Sequence, residues 1–297
     1  MDLKAYLADK RQHVEASLAT LLPQADGGLR LHLESLAYSL KAGGKRIRPI
    51  LCLATAEALT GSFPQRLMPV ACALECVHTY SLIHDDLPAM DNDELRRGQP
   101  TNHMIYGEAG AILAGDGLLT FAFELLSQGE VSDLLPDRAR LEIIHCLAQA
   151  IGPQGMVGGQ ALDMAAEDQA ISFAELQTIH RCKTGALITA SVQIGAIIGR
   201  ASQSQMGALT TYGNAIGLAF QIVDDLLDVE GTSAQLGKSS GADAKHQKAT
   251  YPAFFGVEQT RAKAQEAVQE AIDALTIFGP TADPLRELAR YIFTRSH

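Results

Sequence analysis

The chain has 297 residues, 47% of them apolar and 20% charged, with a formal net charge of −10. That balance excludes a disordered polymer and leaves ample apolar mass for a large core. The acidic field excludes sequence-independent nucleic-acid binding, and an anionic substrate would need local cations to offset repulsion. In chain order, helix-permissive segments rich in Ala and Leu run over 2–22, 28–41, 49–60, 66–86, 108–128, 136–151, 173–200, 204–228, 258–276 and 283–295. Apolar positions recur at three- and four-residue spacing, as in Leu74, Val77, His78, Ser81 and Leu82. Period-2 alternation is scarce, and the breaks carry Gly and Pro: GGKRIRP at 43–49, GSFP at 61–64, IGPQG at 151–155 and FGP at 278–280. No composition shift marks a linker. The pattern predicts one all-α domain over 1–297, a bundle of about ten helices or more. The segments at 185–200 and 213–228, apolar nearly all round, are expected at its centre.

The N-terminus mixes acids and bases and lacks a signal-peptide core. The apolar run 185–199 is broken by Gln193 and bounded by Lys183 and Arg200, so no membrane span is expected. Cys52, Cys72, Cys76, Cys146 and Cys182 are odd in number and form no C-x-x-C pair. Cys72 and Cys76, four apart in an apolar run, read as one buried helix face in a reducing, cytoplasmic setting.

Two acid clusters follow apolar runs. The first, in HDDLPAMDNDELRRGQPTNH (84–103), holds Asp85, Asp86, Asp91, Asp93 and Glu94, with Arg96 and Arg97 next; the second, in QIVDDLLDVE (221–230), holds Asp224, Asp225 and Asp228. On a helix, Asp224 and Asp228 share a face, about 40° apart, whereas Asp225 points elsewhere. Asp85 and Asp91 would lie about 240° apart on an unbroken helix. Pro88 disfavours that helix, so the chain should end it near Asp86 and turn to bring Asp91 back. A run of acids alone is ordinarily a solvated helix end. Attachment to the ends of two buried segments points instead to a polar cavity. A donor set of carboxylates favours Mg²⁺ or Mn²⁺ over zinc. His84 has no matched second histidine and reads as a local hydrogen-bond partner. The acid spacing rules out an EF-hand.

Mg²⁺ keeps waters and takes substrate phosphates as ligands, which gives Arg96 and Arg97 a partner, since guanidiniums bind phosphate bidentately. Lys45, Arg46 and Arg48 in GGKRIRP, and Lys238, Lys245 and Lys248 in the Gly- and Ser-rich stretch 231–250, add cations of the same kind. That stretch reads equally as a ligand clamp or as a surface connection. GTSAQLGKS (231–239) is not a Walker A loop, because Leu236 stands where Gly is required and an acidic helix precedes it.

Together these motifs resemble the trans-isoprenyl diphosphate synthase family. The resemblance runs through GGKRIRP (43–49), ECVHTYSLIHDDLPAMDNDELRRGQPTNH (75–103), GGQALDM (158–164), KTG (183–185), GLAFQIVDDLLD (217–228), GKSSGAD (237–243) and Lys248, in that order. It implies an all-α fold around a central cavity, with the two aspartate motifs on facing helices. It implies a cluster of three Mg²⁺ ions bound with an allylic diphosphate. By that likeness Asp85, Asp91 and Asp224 are direct metal ligands, and Asp86, Asp225 and Asp228 are further ligands or groups that orient waters. Arg96, Lys183 and Lys238 hold the allylic diphosphate, with Lys248 nearby. Lys45, Arg48, His78 and Arg97 hold isopentenyl diphosphate. Thr184, Gln160 and Gln221 face the reacting carbons. Homodimers are the expected assembly.

No side chain reads as a dedicated strong base, so the departing diphosphate is expected to take the proton. For product length, Tyr80 and Ser81 lie one to one and a half turns before Asp85, where the growing tail should pass. Bulky Tyr80 suits a floor, and the Pro88–Ala89 insertion also resembles bacterial short-chain synthases. Farnesyl diphosphate (C15) is therefore expected, with geranylgeranyl (C20) or geranyl diphosphate as the alternatives. A class I terpene cyclase would not need GGKRIRP, His78 and Arg97 for a second diphosphate. A non-catalytic subunit would be expected to lack an acid motif. Residues 238–240 (KSS) and Asn92 depart from the family pattern.

Overall fold

The computed structural model describes residues 1–230 and 249–294. Lys238, Lys245 and Lys248, with the GKSSGAD motif, lie outside the described residues. The fold is all-α, as the periodicity predicts. Among the described residues the one extended pairing is a two-residue ladder. The chain divides into two compact units.

One unit comprises Lys4–Ile50 and Pro64–Ile144. It holds most of α1 (Leu3–Leu21), α2 (Arg30–Lys41), the first residues of α3 (Ile47–Thr60), α4 (Met68–Asp85), α5 (Asn102–Ser127), α6 (Gly129–Leu134) and the first half of α7 (Asp137–Ile151). Helix α4 starts with Pro69 in its first turn, where a missing N–H costs nothing. It is buried without a break from Met68 to Val77, and α2 and α5 pack against it. Each Leu or Val fully buried there contributes about 1.5–3 kcal/mol. Helix α5 is long and apolar enough, by length and composition, to cross a membrane. Its stripe of Ala111, Ala114, Gly115, Leu118 and Ala122 is buried, and it packs against α2 and α4. It starts at Asn102 rather than at the expected 108, because Gly107 (φ 76°) kinks the helix instead of ending it. Between α4 and α5, Leu95–Arg96 pairs antiparallel with Gln99–Pro100. The connecting residues Arg97 (φ 56°) and Gly98 (φ 75°) both have positive φ, as a two-residue primed turn demands.

The other unit comprises the described residues of Met1–Leu3, Leu51–Phe63 and His145–His297. Its helices are the rest of α3 and α7, then α8 (Met156–Ala166), α9 (Phe173–His180), α10 (Ala186–Ile198), α11 (Gln203–Glu230), α12 (Tyr251–Ala274) and α13 (Asp283–Thr294). Helix α8 was not predicted: Gly158 and Gly159 lower its propensity, and packing against residues 181–185 overrides that preference. The single helix expected over 173–200 is interrupted by a π turn at Arg181–Gly185, ahead of α10. Ser172 and Glu175 form a capping box that fixes the start of α9. Helix α12 begins at Tyr251 rather than 258, capped by the Thr250 side chain and kinked at Gly256. As expected, α10 is almost wholly buried, and much of the second half of α11 is buried as well. Tyr212 on α11 is fully buried and donates to the Leu285 carbonyl on α13 at 2.7 Å.

The cysteines follow the core reading. Cys52, Cys72 and Cys76 are fully buried, and burial pushes their thiols up, Cys72 to about 12. Inert packing groups behave this way.

Candidate active site

The end of α4 is built as the position of Pro88 predicts. The helix stops at Asp85, and the Asp86 N–H closes onto the Leu82 carbonyl at 3.1 Å. The chain then folds over Leu87: Met90 N–H and Asn92 N–H both donate to its carbonyl, at 2.9 and 3.1 Å. Asn92 takes φ 52°, which Asn tolerates better than most residues. This turn brings Asp91 back, and its N–H donates to the Asp85 carbonyl at 2.9 Å.

Asp86 behaves differently from its neighbours. It is 3% exposed, and Arg96 Nε donates to its two oxygens at 2.7 and 3.0 Å. Arg96 also reaches Asp93 at 3.5 Å. Burial lifts the Asp86 carboxyl above its ordinary range, against the pull of Arg96. Sequence reasoning set Asp86 beside a metal and Arg96 on a phosphate; here each engages the other, as a buried charge must have a partner.

Half-buried His78 sits seven residues before Asp85 on α4. Its pKa is held well below the ordinary value, first by burial and then by Arg48, Arg97, Arg96 and Arg46. Four guanidiniums thus help to keep one imidazole neutral in a chain whose net charge is −10. Arg97 donates to the Gly43 carbonyl, and its guanidinium covers Gly44 (φ 138°), where a Cβ would sit 2.6 Å from it. This joins the GGKRIRP loop to the hairpin. A small cleft beside it is lined by Tyr38, Thr79, Asp86, Arg96, Arg97 and Thr101.

Tyr80 is 5% exposed and meets the His84 ring edge-on at 5.7 Å. Burial, then Asp85, raises its hydroxyl pKa to about 12, so it is neutral. Ser81, half-buried, donates back to the His78 carbonyl at 2.9 Å. His84 bonds the Ile112 carbonyl of α5 at 3.0 Å, the local role that its lack of a matched partner predicts.

In the other unit, Lys183 lies in the π turn, an interruption common at functional sites. Its Nζ donates to Asp163 of α8 at 2.6 Å. Gly159 permits that approach: a Cβ there would lie 2.2 Å from the Lys183 backbone nitrogen. Next to it, the Gln160 amide is buried, and neither its oxygen nor its nitrogen has a hydrogen-bond partner among the described residues. Thr184 and Gln221 are half-buried.

The second acid set occupies the last turns of α11. Asp224 is half-buried and Asp228 is 8% exposed, one turn apart on the same helix. Oδ1 of Asp228 is buried without a hydrogen-bond partner among the described residues. Asp225, on another face, accepts the Tyr251 N–H at 2.8 Å and lies 3.9 Å from His180 Nε2. His180 stacks on Tyr251 with ring centres 5.7 Å apart, and burial lowers its pKa to about 4.

Each unit thus gathers part of the expected set: Asp85, Asp86, Asp91 and Arg96, with His78, Arg48 and Arg97, in one; Lys183 and Gln160 beside the KTG turn, and the α11 aspartates, in the other. Among the described residues no three His, Cys, Asp or Glu side chains form a ready-made metal cage. Like charges spread apart, and an ion that takes phosphate oxygens needs only one or two carboxylates from each element. The donor chemistry fits such an ion: all six candidates are carboxylates, and Asp228 holds a buried oxygen with no hydrogen-bond partner among the described residues.

Sequence reasoning missed Glu75, Asp163, His180 and Tyr251. Glu75 carried a signal, a lone carboxylate inside the apolar run MPVACALECV, which must find a cation. Asp163 and His180 stood within or beside quoted motifs but lacked spacing that would set them apart.

Comparison with known proteins gives a consistent assignment. The polyprenyl synthetase family pattern matches residues 30–276. A farnesyl diphosphate synthase of Geobacillus stearothermophilus is 49% identical over 263 residues, covering 89% of this chain and 88% of the relative. A geranylgeranyl diphosphate synthase of Cyanophora paradoxa is 46% identical, covering 100% of this chain and 97% of the relative. The apo crystal structure of an FPP/GFPP synthase from Zymomonas mobilis superposes with a TM-score of 0.88 at 40% identity, over 99% of both chains. This chain belongs to the polyprenyl synthetase family and is a prenyltransferase of the short-chain trans type.

Proposed function

We propose that the chain condenses isopentenyl diphosphate head-to-tail with dimethylallyl and then geranyl diphosphate, giving farnesyl diphosphate. The observation that supports this reading is that Arg97 ties the GGKRIRP loop to the hairpin, donating to the Gly43 carbonyl and covering Gly44, next in chain to the aspartate-rich end of α4. A cyclase handling a single diphosphate has no use for Lys45, Arg48 and Arg97 in addition to its metal site. Asp85, Asp91 and Asp224 are the carboxylates assigned to Mg²⁺, with Mn²⁺ as the alternative ion. Asp228 supports Asp224 one turn away. Asp86 and Asp225, engaged by Arg96 and by the Tyr251 N–H, act as orienting groups. When bound, the metal supplies charge that stabilises the leaving diphosphate.

The protein residues do the rest. Lys45, Arg48, His78 and Arg97 hold isopentenyl diphosphate. Lys183 and Arg96 hold the allylic diphosphate as its C–O bond breaks, a role worth about 10²–10³ in rate for a single well-placed donor. Lys238 and Lys248 are assigned to that same group. Thr184, Gln160 and Gln221 offer oxygen dipoles, and no strong nucleophile, to the allylic cation. Gln160 suits this role because its buried amide has no hydrogen-bond partner among the described residues. The isopentenyl double bond forms the new C–C bond, and the released diphosphate takes the proton.

Tyr80 supports a C15 product: a buried, neutral ring one turn and more behind Asp85 would block a longer tail. The 46% identity to a geranylgeranyl diphosphate synthase favours C20 as the second reading. Chromatography of products from radiolabelled isopentenyl diphosphate with C5 and C10 starters tests both. A dominant C15 product is expected, and a dominant C20 product would replace it. Sedimentation of the full chain tests the homodimer expected for it.

A further inference from the structure

We propose that Arg46 is a positioning residue for the isopentenyl subsite, acting through a buried ion pair with Glu75 rather than by touching phosphate. The inference rests on the assignment of Lys45, Arg48 and His78 above.

Within GGKRIRP the three cations look equivalent, but the structure separates them. Arg46 is 3% exposed, while Lys45 and Arg48 are both half-buried. Nη1 of Arg46 donates to Glu75 Oε1 at 2.6 Å, and Nη2 donates to the Leu40 carbonyl at the end of α2, also at 2.6 Å. Its Nε lies 3.6 Å from Glu15 on α1. A guanidinium 3% exposed, with both terminal nitrogens already donating, is poorly placed to grip a diphosphate. Glu75 is 1% exposed, on the stretch of α4 buried all round. It stands three residues before His78, and residues so spaced on a helix are surface neighbours. One ion pair therefore ties the loop to the helical turn that carries His78.

The backbone adds a second argument. Arg46 has φ 53°, a region non-glycine residues avoid unless their surroundings hold them there. Here the side chain anchored on Glu75 and Leu40 does the holding, and it sets the direction in which the chain leaves toward Arg48. Loss of the anchor should let the loop relax toward ordinary φ and misplace the groups that grip isopentenyl diphosphate, while the allylic side depends on Lys183 and Arg96.

The test compares Arg46→Met, Glu75→Met and the double variant in the full chain, reading Tm and the two KM values separately. Each single variant strands a buried charge and should lower Tm. Each should also raise KM for isopentenyl diphosphate by roughly tenfold or more, as misplaced binding groups do, leaving KM for geranyl diphosphate within about twofold. The double variant should recover Tm, because apolar residues replace buried ion pairs well. It should keep the raised KM for isopentenyl diphosphate, because the anchor is still missing. Recovery of both Tm and KM in the double variant would overturn the inference, as would a parallel rise in the two KM values. So would a raised KM in Arg46→Met with none in Glu75→Met, which would mean direct phosphate contact. Failure of the functional reading shows separately, as wild-type turnover that does not depend on isopentenyl diphosphate.

Discussion

The N–H of Asp91 donates to the carbonyl of Asp85 at 2.9 Å, so the two carboxylates assigned to metal are joined through backbone. The bond uses no side-chain atom. Asp91→Ala should therefore leave the turn itself intact. Turnover should fall by about 10²–10³-fold if Asp91 helps to stabilise the leaving group. Urea denaturation and steady-state rates on the same preparation check this. A large loss of stability would show that the carboxylate, and not the backbone, holds the turn.

The contact between Gly159 and Lys183 has no slack. A Cβ at 159 would meet the Lys183 nitrogen at 2.2 Å, and backbone cannot swing aside as a long side chain can. Gly159→Ala should push α8 off the π turn, at a cost of about 1–3 kcal/mol, typical of overpacking. The displacement should also break the bond from Lys183 to Asp163 and lower kcat more than Asp163→Asn does. Thermal melts and kinetics of the two variants make the comparison.

His180 links stability to pH. Its folded pKa of about 4 lies below the unfolded value of about 6.5, because burial disfavours the imidazolium; Asp163 opposes that effect and Lys183 reinforces it. Between these values the unfolded chain binds a proton that the folded chain does not. The stabilising contribution is therefore full above about pH 6.5 and is lost as pH falls toward 4, at roughly 1.4 kcal/mol per unit and about 3 kcal/mol in all. His180→Gln should be less stable at neutral pH, because it loses the stacking on Tyr251, but its stability should decline less steeply between pH 6.5 and 4. Denaturant midpoints measured across that range give the two slopes. Equal slopes would mean that His180 is protonated in the fold.

How far the sequence revealed this arrangement depended on how local the cause was. Pro88 between two acid runs was enough to foresee that α4 ends near Asp86 and that Asp91 returns, because proline geometry acts within a few residues. Gly107 and Gly256 misled in the same local way: a glycine at positive φ can kink a helix as well as end one, and only packing decides which. The pairing of Asp86 with Arg96 and the inward turn of Arg46 depend on contacts across elements, which spacing cannot show. Helix α8 is the clearest tertiary override, since two adjacent glycines weaken it and its neighbours restore it.

Product length tests the role of Tyr80. The ring is 5% exposed on α4, five residues before Asp85, and packs edge-on against His84, which α5 holds through the Ile112 carbonyl. Tyr80→Ala removes a large buried ring and should leave a cavity, at a cost of about 3–5 kcal/mol in stability. If the tail passes here, the space admits further isoprene units, and each buried methylene adds about 0.8 kcal/mol in favour of continued growth. Products should then shift from C15 toward C20 and beyond. Ser81 is small and bonds back to the His78 carbonyl, so Ser81→Phe should place an aromatic wall nearer the diphosphate end and shift products toward C10. Both profiles are read by chromatography at matched turnover, after thermal melts confirm folded protein. An unchanged C15 product in both variants would move the floor of the tail channel away from α4.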